Sequence, residues 1–353
     1  MNRKRIREFG YVIVKYPTGV KNKITDVPGV RVGHWTVDEG QQHTGITVVL
    51  PGEDNPFLKK YTASGYVHNG FGKTCGLIQV EELGTLETPI ALTNTLNVGK
   101  VADALVSYMV EETRREGVEI SSLNPVVGEC NDSRINRIQD RAAGEQELRA
   151  AIAAAAMDFE EGNVGAGTGT ICYGLKGGIG SSSRILKIGG RTYTVGILVQ
   201  TNFGATEDLR VDGDPVGRRL REKLRQSGSG SSADDSGSIM TVLATDLPVT
   251  ERQLYRILRR CGVGIARTGA YTGHGSGEVM IGFTTANRVD TTGNQMVESC
   301  LRLREEALNP VFDATAEAVE EAILNSMTAA GPARGLDGAW YRSLSEFLGK
   351  EEL

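Results

Sequence analysis

Short apolar runs bounded by glycine and other turn residues recur along the chain, and helical periods do not alternate with them one for one. Runs at 11–15 (YVIVK), 45–50 (GITVVL), 75–80 (CGLIQV), 192–200 (TYTVGILVQ) and 278–285 (EVMIGFTT) read as strands. Apolar spacing predicts helices over 97–115, 142–158, 250–261 and near 312–328. Several strands thus separate successive helices, which argues for sheets covered by helices and against a regular Rossmann or (β/α)₈ repeat. Forty-five of the 353 residues are glycine, against a usual share of about 7%. They sit at strand ends and in short runs, where the backbone turns tightly or lies close to another segment. The alanine run in the 142–158 helix implies close packing against its neighbour.

The charge balance excludes several functions. Thirty-nine basic residues stand against 44 acidic ones, a formal charge of −5, with neither sign dominating a long stretch. Broad binding to nucleic acid or an anionic membrane is not expected, and the basic cluster RRLREKLR at 218–225 is too short to change that. No apolar run reaches the length of a membrane span, and the N-terminus lacks the pattern of a signal peptide. Five scattered cysteines and four dispersed histidines form no CxxC pair or HExxH cluster. A reduced, cytoplasmic protein with no disulfide framework, metal or organic cofactor is expected.

The longest polar segment, 205–237, reads as a flexible linker. It ends abruptly in DDSGSIMTVLATD (234–246), where Gly237-Ser238 leads straight into core-strand residues. Ser238 is either a loop end or the first residue of a new chain. An N-terminal serine would carry its own base, because an α-amine titrates near pH 7.7 to 8.0 (about that of model peptides). Glycine before it would leave the scissile carbonyl open to attack.

Seven segments in order resemble the DmpA/BapA-type self-processing serine aminopeptidases, which include L-aminopeptidase/D-esterases and β-peptidyl aminopeptidases. They are ITDVPGVRVGH (24–34), TPIALTNTLNVG (88–99), NPVVGECND (124–132), GAGTGTICYGLKGGIGSSSR (165–184), VGILVQTNFG (195–204), SGS (236–238) and ARTGAYTGHGSGE (266–278). The resemblance implies a four-layered α/β/β/α sandwich like that of N-terminal nucleophile hydrolases. It implies one domain over 1–353, cut at Gly237-Ser238 into fragments 1–237 and 238–353 that stay together, in a homo-oligomer, a tetramer. The activity implied is release of N-terminal residues from short peptides, amino-acid amides or esters through an acyl-serine.

Residue by residue, the resemblance makes Ser238 the nucleophile, with Ser276 and Glu278 beside it. Asn202 becomes the oxyanion donor and Glu129 the partner of the substrate ammonium. By themselves, Ser276 and Glu278 also fit a glycine-serine turn, Asn202 an Asx turn, and Glu129 a structural carboxylate. Asn94 and Asn131 are hydrogen-bonding residues of the cleft wall or turn caps. The chain departs from the family at NDSRIN (131–136), where Arg134 stands in place of a tyrosine. Arg134 can stabilise negative charge or pair with a substrate carboxylate, favouring short or acidic substrates. Two other readings remain open at this level. One is an acyltransferase of the ornithine acetyltransferase type, which uses threonine at the junction; the other is an unprocessed, non-catalytic peptide-binding protein.

Overall fold

A computed structural model describes residues 3–13, 15–226, 229, 237–293 and 296–348. Its strands in chain order are β1 (Arg31–Glu39), β2 (Gln42–Leu50), β3 (Lys59–Gly70), β4 (Thr85–Leu86), β5 (Ile90–Asn94) and β6 (Val126–Cys130). They continue as β7 (Ile171–Cys172), β8 (Leu175–Lys176), β9 (Ile179–Ile188), β10 (Arg191–Asn202), β11 (Gly237–Thr245) and β12 (Ser276–Asp290). A last hairpin pairs β13 (Ala333–Arg334) with β14 (Trp340–Tyr341). The helices are α1 (Leu77–Leu83), α2 (Val98–Arg115), α3 (Glu145–Ala153), α4 (Gly217–Gln226), α5 (Glu251–Leu258), α6 (Cys261–Arg267) and α7 (Asn309–Thr328).

Two sheets stack face to face. One is four-stranded in the order β1-β2-β5-β6; the other is six-stranded in the order β4-β3-β12-β11-β10-β9. Period-two alternation gives each strand two apolar faces. On β11, Met240, Val242 and Ala244 join Val49, Leu92 and Val126 of the opposite sheet in the inner core. Ile239 and Leu243 face outward against Leu254 of α5, Ile265 of α6 and Val319 of α7. On the far side, Val101 and Leu105 of α2 and Leu148 of α3 cover Ile46, Val48 and Ala91. The result is the expected α/β/β/α sandwich.

Small residues set the close approaches. A Cβ on Gly33 of β1 would run into the Ala151 carbonyl of α3, and one on Gly180 of β9 into the Ala322 carbonyl of α7. The alanine-rich helix therefore packs as tightly as its composition implied. Two residues beyond Gly180 on β9, buried Ser182 donates from its hydroxyl to the Ala318 carbonyl of α7 at 2.5 Å.

Three sequence readings need correction. Among the described residues, 11–13 and 15 form no strand, because backbone groups of Ile13 and Lys15 bond side chains. The Lys15 amide donates to Glu317 Oε2 at 2.8 Å, and the Ile13 carbonyl accepts from Arg184 at 2.8 Å (Val14 lies outside the described residues). Residues 75–80 are not a strand but a single bridge at Cys75, a left-handed Gly76 and the start of α1. The linker reading of 205–237 fails over 205–226. That stretch holds a 3₁₀ turn at Thr206–Asp208, a bridge between Val211 and Asp214, and α4, whose Leu220 and Leu224 are buried. Two leucines four apart, with Gly217 buried against the Thr206 carbonyl, are enough to dock a helix otherwise made of charged and polar residues. Residues 227, 228 and 230–236 lie outside the described residues.

Candidate active site

The C-terminal end of β10 and the N-terminal ends of β11 and β12 meet at one edge of the larger sheet. This follows from pairing: β10 runs antiparallel to β11, and β11 runs parallel to β12. Asn202 is the register partner of Ser238, Gly237 that of Ser276, and Ser238 that of Gly277. Asn202, Ser238, Ser276 and Glu278 are thereby gathered within three consecutive rungs of one sheet, although they span 76 positions in the chain.

Gly237 carries φ = 132°, a conformation that side chains disfavour, and a Cβ there would collide with the Asn202 carbonyl. Its amide donates to the Gly275 carbonyl at 3.2 Å. Ser238 is only 5% exposed. Its register places it on the inner face with Met240, against β6 of the other sheet. There the Cys130 thiol donates to the Ser238 carbonyl at 3.5 Å. Burial pushes the Cys130 thiol pKa up, more than its contact with the Ser238 side chain pulls it down. Cys130 is therefore a neutral neighbour and not a rival nucleophile.

Ser276 and Glu278 are fully buried, and the Ser276 hydroxyl gives its one proton to Glu278. Alternation along β12 puts both on the helix-covered face with Met280, opposite the Ser238 side chain. The pair reaches the junction through Gly237, the partner of Ser276. Asn202 accepts the Ile171 amide on Oδ1 at 3.0 Å, which leaves its Nδ2 as the donor end. It lines a pocket of about 170 Å³ together with Gly237, Gly204, Ile171, Asn131 and Arg134.

Glu129 sits on β6, 4% exposed, with Oε1 accepting the Lys73 amide at 2.9 Å and Oε2 accepting the Thr95 hydroxyl. The Lys73 ammonium itself turns to the Phe71 ring, 4.7 Å from its centroid. Asn131 is exposed, and its side chain caps the Ser133 amide at 3.0 Å while lining the pocket. Asn94 is a cap: its Oδ1 accepts the Asn97 amide at 3.1 Å.

Comparisons with known proteins find relatives over nearly the whole chain. The model of peptidase family S58 matches residues 22–341. The chain belongs to peptidase family S58. This S58 peptidase is 36% identical to the β-peptidyl aminopeptidase BapA of Sphingosinicella microcystinivorans, over 95% of this chain and 88% of that one. A solved Pyrococcus horikoshii OT3 protein matches with a TM-score of 0.91 and 44% identity, covering 98% of both chains. The L-aminopeptidase D-Ala-esterase/amidase of Ochrobactrum anthropi, a prototype of the serine aminopeptidases, matches with a TM-score of 0.89 and 34% identity. That match covers 96% of this chain and 95% of that one, and that protein is described as a variant of the Ntn hydrolase fold. The S58 peptidase is accordingly a serine-type aminopeptidase of the N-terminal nucleophile kind.

Some residues of the site left little trace in the sequence of the S58 peptidase. Arg134 lies against Tyr341, a residue of β14 packed with Ile135 and Ile171. Burial and Asp337 raise the Tyr341 pKa, and Arg134 opposes them. Lys176 is fully buried and donates to the carbonyls of Gly167, Thr170 and Gly177 at 2.9, 2.9 and 2.8 Å. It holds the glycine-rich loop around Ile171, while burial pushes its pKa down to about 7. A lysine inside GLKGG was the one available signal; nothing near Arg134 pointed to Tyr341. Among the described residues, no helix is long and apolar enough to cross a membrane.

Proposed function

We propose that this S58 peptidase cleaves its own Gly237–Ser238 bond and then uses the new N-terminal serine to release N-terminal residues from short peptides, amino-acid amides or esters. In the first event the Ser238 Oγ attacks the Gly237 carbonyl. An Oγ–C bond forms, the C–N bond breaks, and the hydroxyl proton passes to the departing nitrogen. Water then hydrolyses the ester, yielding fragments of 237 and 116 residues.

The observation that carries this reading is the glycine-only conformation of Gly237 immediately before a buried serine paired with Asn202. In catalysis the freed α-amine, titrating near pH 7.7 to 8.0 (about that of model peptides), takes the proton from the Ser238 hydroxyl. Asn202 Nδ2 donates to the oxyanion, a contribution of roughly 3 to 4 kcal/mol in comparable sites. Glu129 receives the substrate ammonium, since a carboxylate oxygen with one neutral donor retains acceptor capacity. Asn131 lines the cleft, and the Ser276–Glu278 pair acts on the amine from beneath the junction. Water resolves the acyl-serine.

The names of the curated relatives extend the substrate class to peptides that begin with a β-amino acid. Exposed Val67, Phe71, Val263 and Tyr271 support a homo-oligomer, and the free thiols of Cys75, Cys130, Cys172, Cys261 and Cys300 support a reducing, cytoplasmic setting. Denaturing electrophoresis with intact-mass measurement tests the proposal. Wild type is expected as two fragments split before Ser238, and Ser238→Ala as one silent chain. Peptidase activity from an uncut wild-type chain overturns it.

A further inference from the structure

We infer that the cleft selects a zwitterion: a di- or tripeptide whose free C-terminal carboxylate pairs with Arg134 while its ammonium meets Glu129. The inference rests on the aminopeptidase reading above and names its substrate class. It starts from the order of groups across the sheet edge. Asn202, Ser238 and Gly277 are consecutive register partners on β10, β11 and β12. Gly277 abuts the Phe71 carbonyl, and a Cβ on the next residue, Gly72, would lie 3.6 Å from Glu129 Oε1. Glu129 thus stands on the β12 side of Ser238. Arg134 stands on the β10 side, in the pocket that Asn202, Gly204 and Gly237 also line. An acid and a base flank the serine in the sense required by a peptide lying across it.

The separation suits a short ligand. Five peptide units join Glu129 to Arg134, which holds their Cα atoms within about 17 Å, and a turn at Asn131–Ser133 shortens this. A ligand joining the two charges therefore spans two or three residues, and a longer peptide would have to carry its carboxylate past the guanidinium.

Arg134 is held for this task from outside the cleft. Its carbonyl accepts the Leu336 amide at 2.9 Å, and its side chain lies at Tyr341. Tyr341 packs on Ile171, whose amide orients Asn202, so one residue supports both the oxyanion donor and the seat of the arginine. Asp337 also acts on Tyr341, but its carboxylate accepts the Ala339 amide at 2.9 Å. A guanidinium presents a planar pair of donors that matches a carboxylate in two parallel bonds. A neutral C-terminal amide forfeits the charge and one of those acceptors.

The test compares a dipeptide with its C-terminal amide on the mature enzyme. Wild type is expected to favour the free acid in kcat/KM by about 10- to 100-fold, mainly through KM. In Arg134→Ala that ratio should collapse toward one, with partial recovery of the preference in Arg134→Lys. Equal or better use of the amide by wild type overturns the inference, as does a preference that survives Arg134→Ala. If neither compound is hydrolysed, the aminopeptidase reading fails, and calorimetric titration of the same two ligands decides the inference separately. Tighter binding of the acid, lost in Arg134→Ala, supports it; equal binding overturns it.

Discussion

Asn202 and Ser238 are register partners on the last rung of the β10–β11 ladder, and the residue preceding Ser238 presses its α-carbon against the Asn202 carbonyl. That contact, with φ of 132° at Gly237, admits no side chain. Gly237→Ala must shift the scissile carbonyl away from the serine, at a cost of order 1 to 3 kcal/mol. Self-cleavage should slow by at least about tenfold, read as the fraction of intact chain over time, with circular dichroism showing that the variant is folded. Cleavage at the wild-type rate would show that the glycine is incidental.

Asn202→Ala separates the oxyanion role from a merely structural one. The side chain has a fixed acceptor end at Ile171 and a donor end toward the pocket. Its removal from already processed enzyme should lower kcat by about 10² to 10³ with little change in KM. Because the same donor can serve the self-cleavage step, the variant is best assembled from separately expressed fragments. A loss confined to KM would reassign Asn202 to substrate binding.

How much of this was legible in the chain differs by residue. β10, β11 and β12 are continuous apolar runs whose extent could be read from sequence, and the resemblance to the serine aminopeptidases singled out Asn202, Ser238, Ser276 and Glu278 at their ends. The run at 11–15 misled because its backbone partners are Arg184 and Glu317, some 170 and 300 positions away, and no local pattern encodes them. In α4 the signal was present but thin: Leu220 and Leu224 alone in a charged segment. Tyr341 was invisible because it reaches Arg134 across 207 positions by folding alone. Long-range polar partners are what local periodicity cannot report.

The buried cluster behind β9 predicts a stability effect far from the catalytic edge. Arg184 Nη2 meets Glu321 at 2.7 Å, both fully buried, and Arg184 also pairs with Glu317. Burial opposes ionisation of Glu321, but Arg7 and Arg184 outweigh it and hold the carboxyl below its usual range. Its stabilising contribution is therefore present above about pH 4.3 and is lost as the pH falls through the depressed value. Glu321→Gln leaves Arg184 underpaired and should cost about 3 to 5 kcal/mol in denaturant unfolding at pH 7. A variant within about 0.5 kcal/mol of wild type would remove the network from any account of stability.

Asp132, buried next in sequence to the pocket-lining Asn131, behaves in the opposite sense. It accepts the Thr44 hydroxyl at 2.6 Å and the Asn136 amide group at 3.0 Å. Burial nevertheless pushes its pKa from 3.8 up to about 6, against the pull of Thr44, Asn136 and Asn94. The folded chain thus holds this proton more tightly than the unfolded chain does. Stability from this group is full below pH 3.8 and declines as the pH rises through 6. Two units correspond to about 3 kcal/mol. Unfolding is best measured in a Ser238→Ala background, where a single uncut chain keeps the transition simple. The stability difference between that chain and the same chain carrying Asp132→Asn should fall by most of this amount between about pH 4 and pH 6.5. A difference that stays flat across the window would mean that Asp132 is solvated like an ordinary carboxylate, and that the interior behind Asn131 is more open than its hydrogen bonds imply.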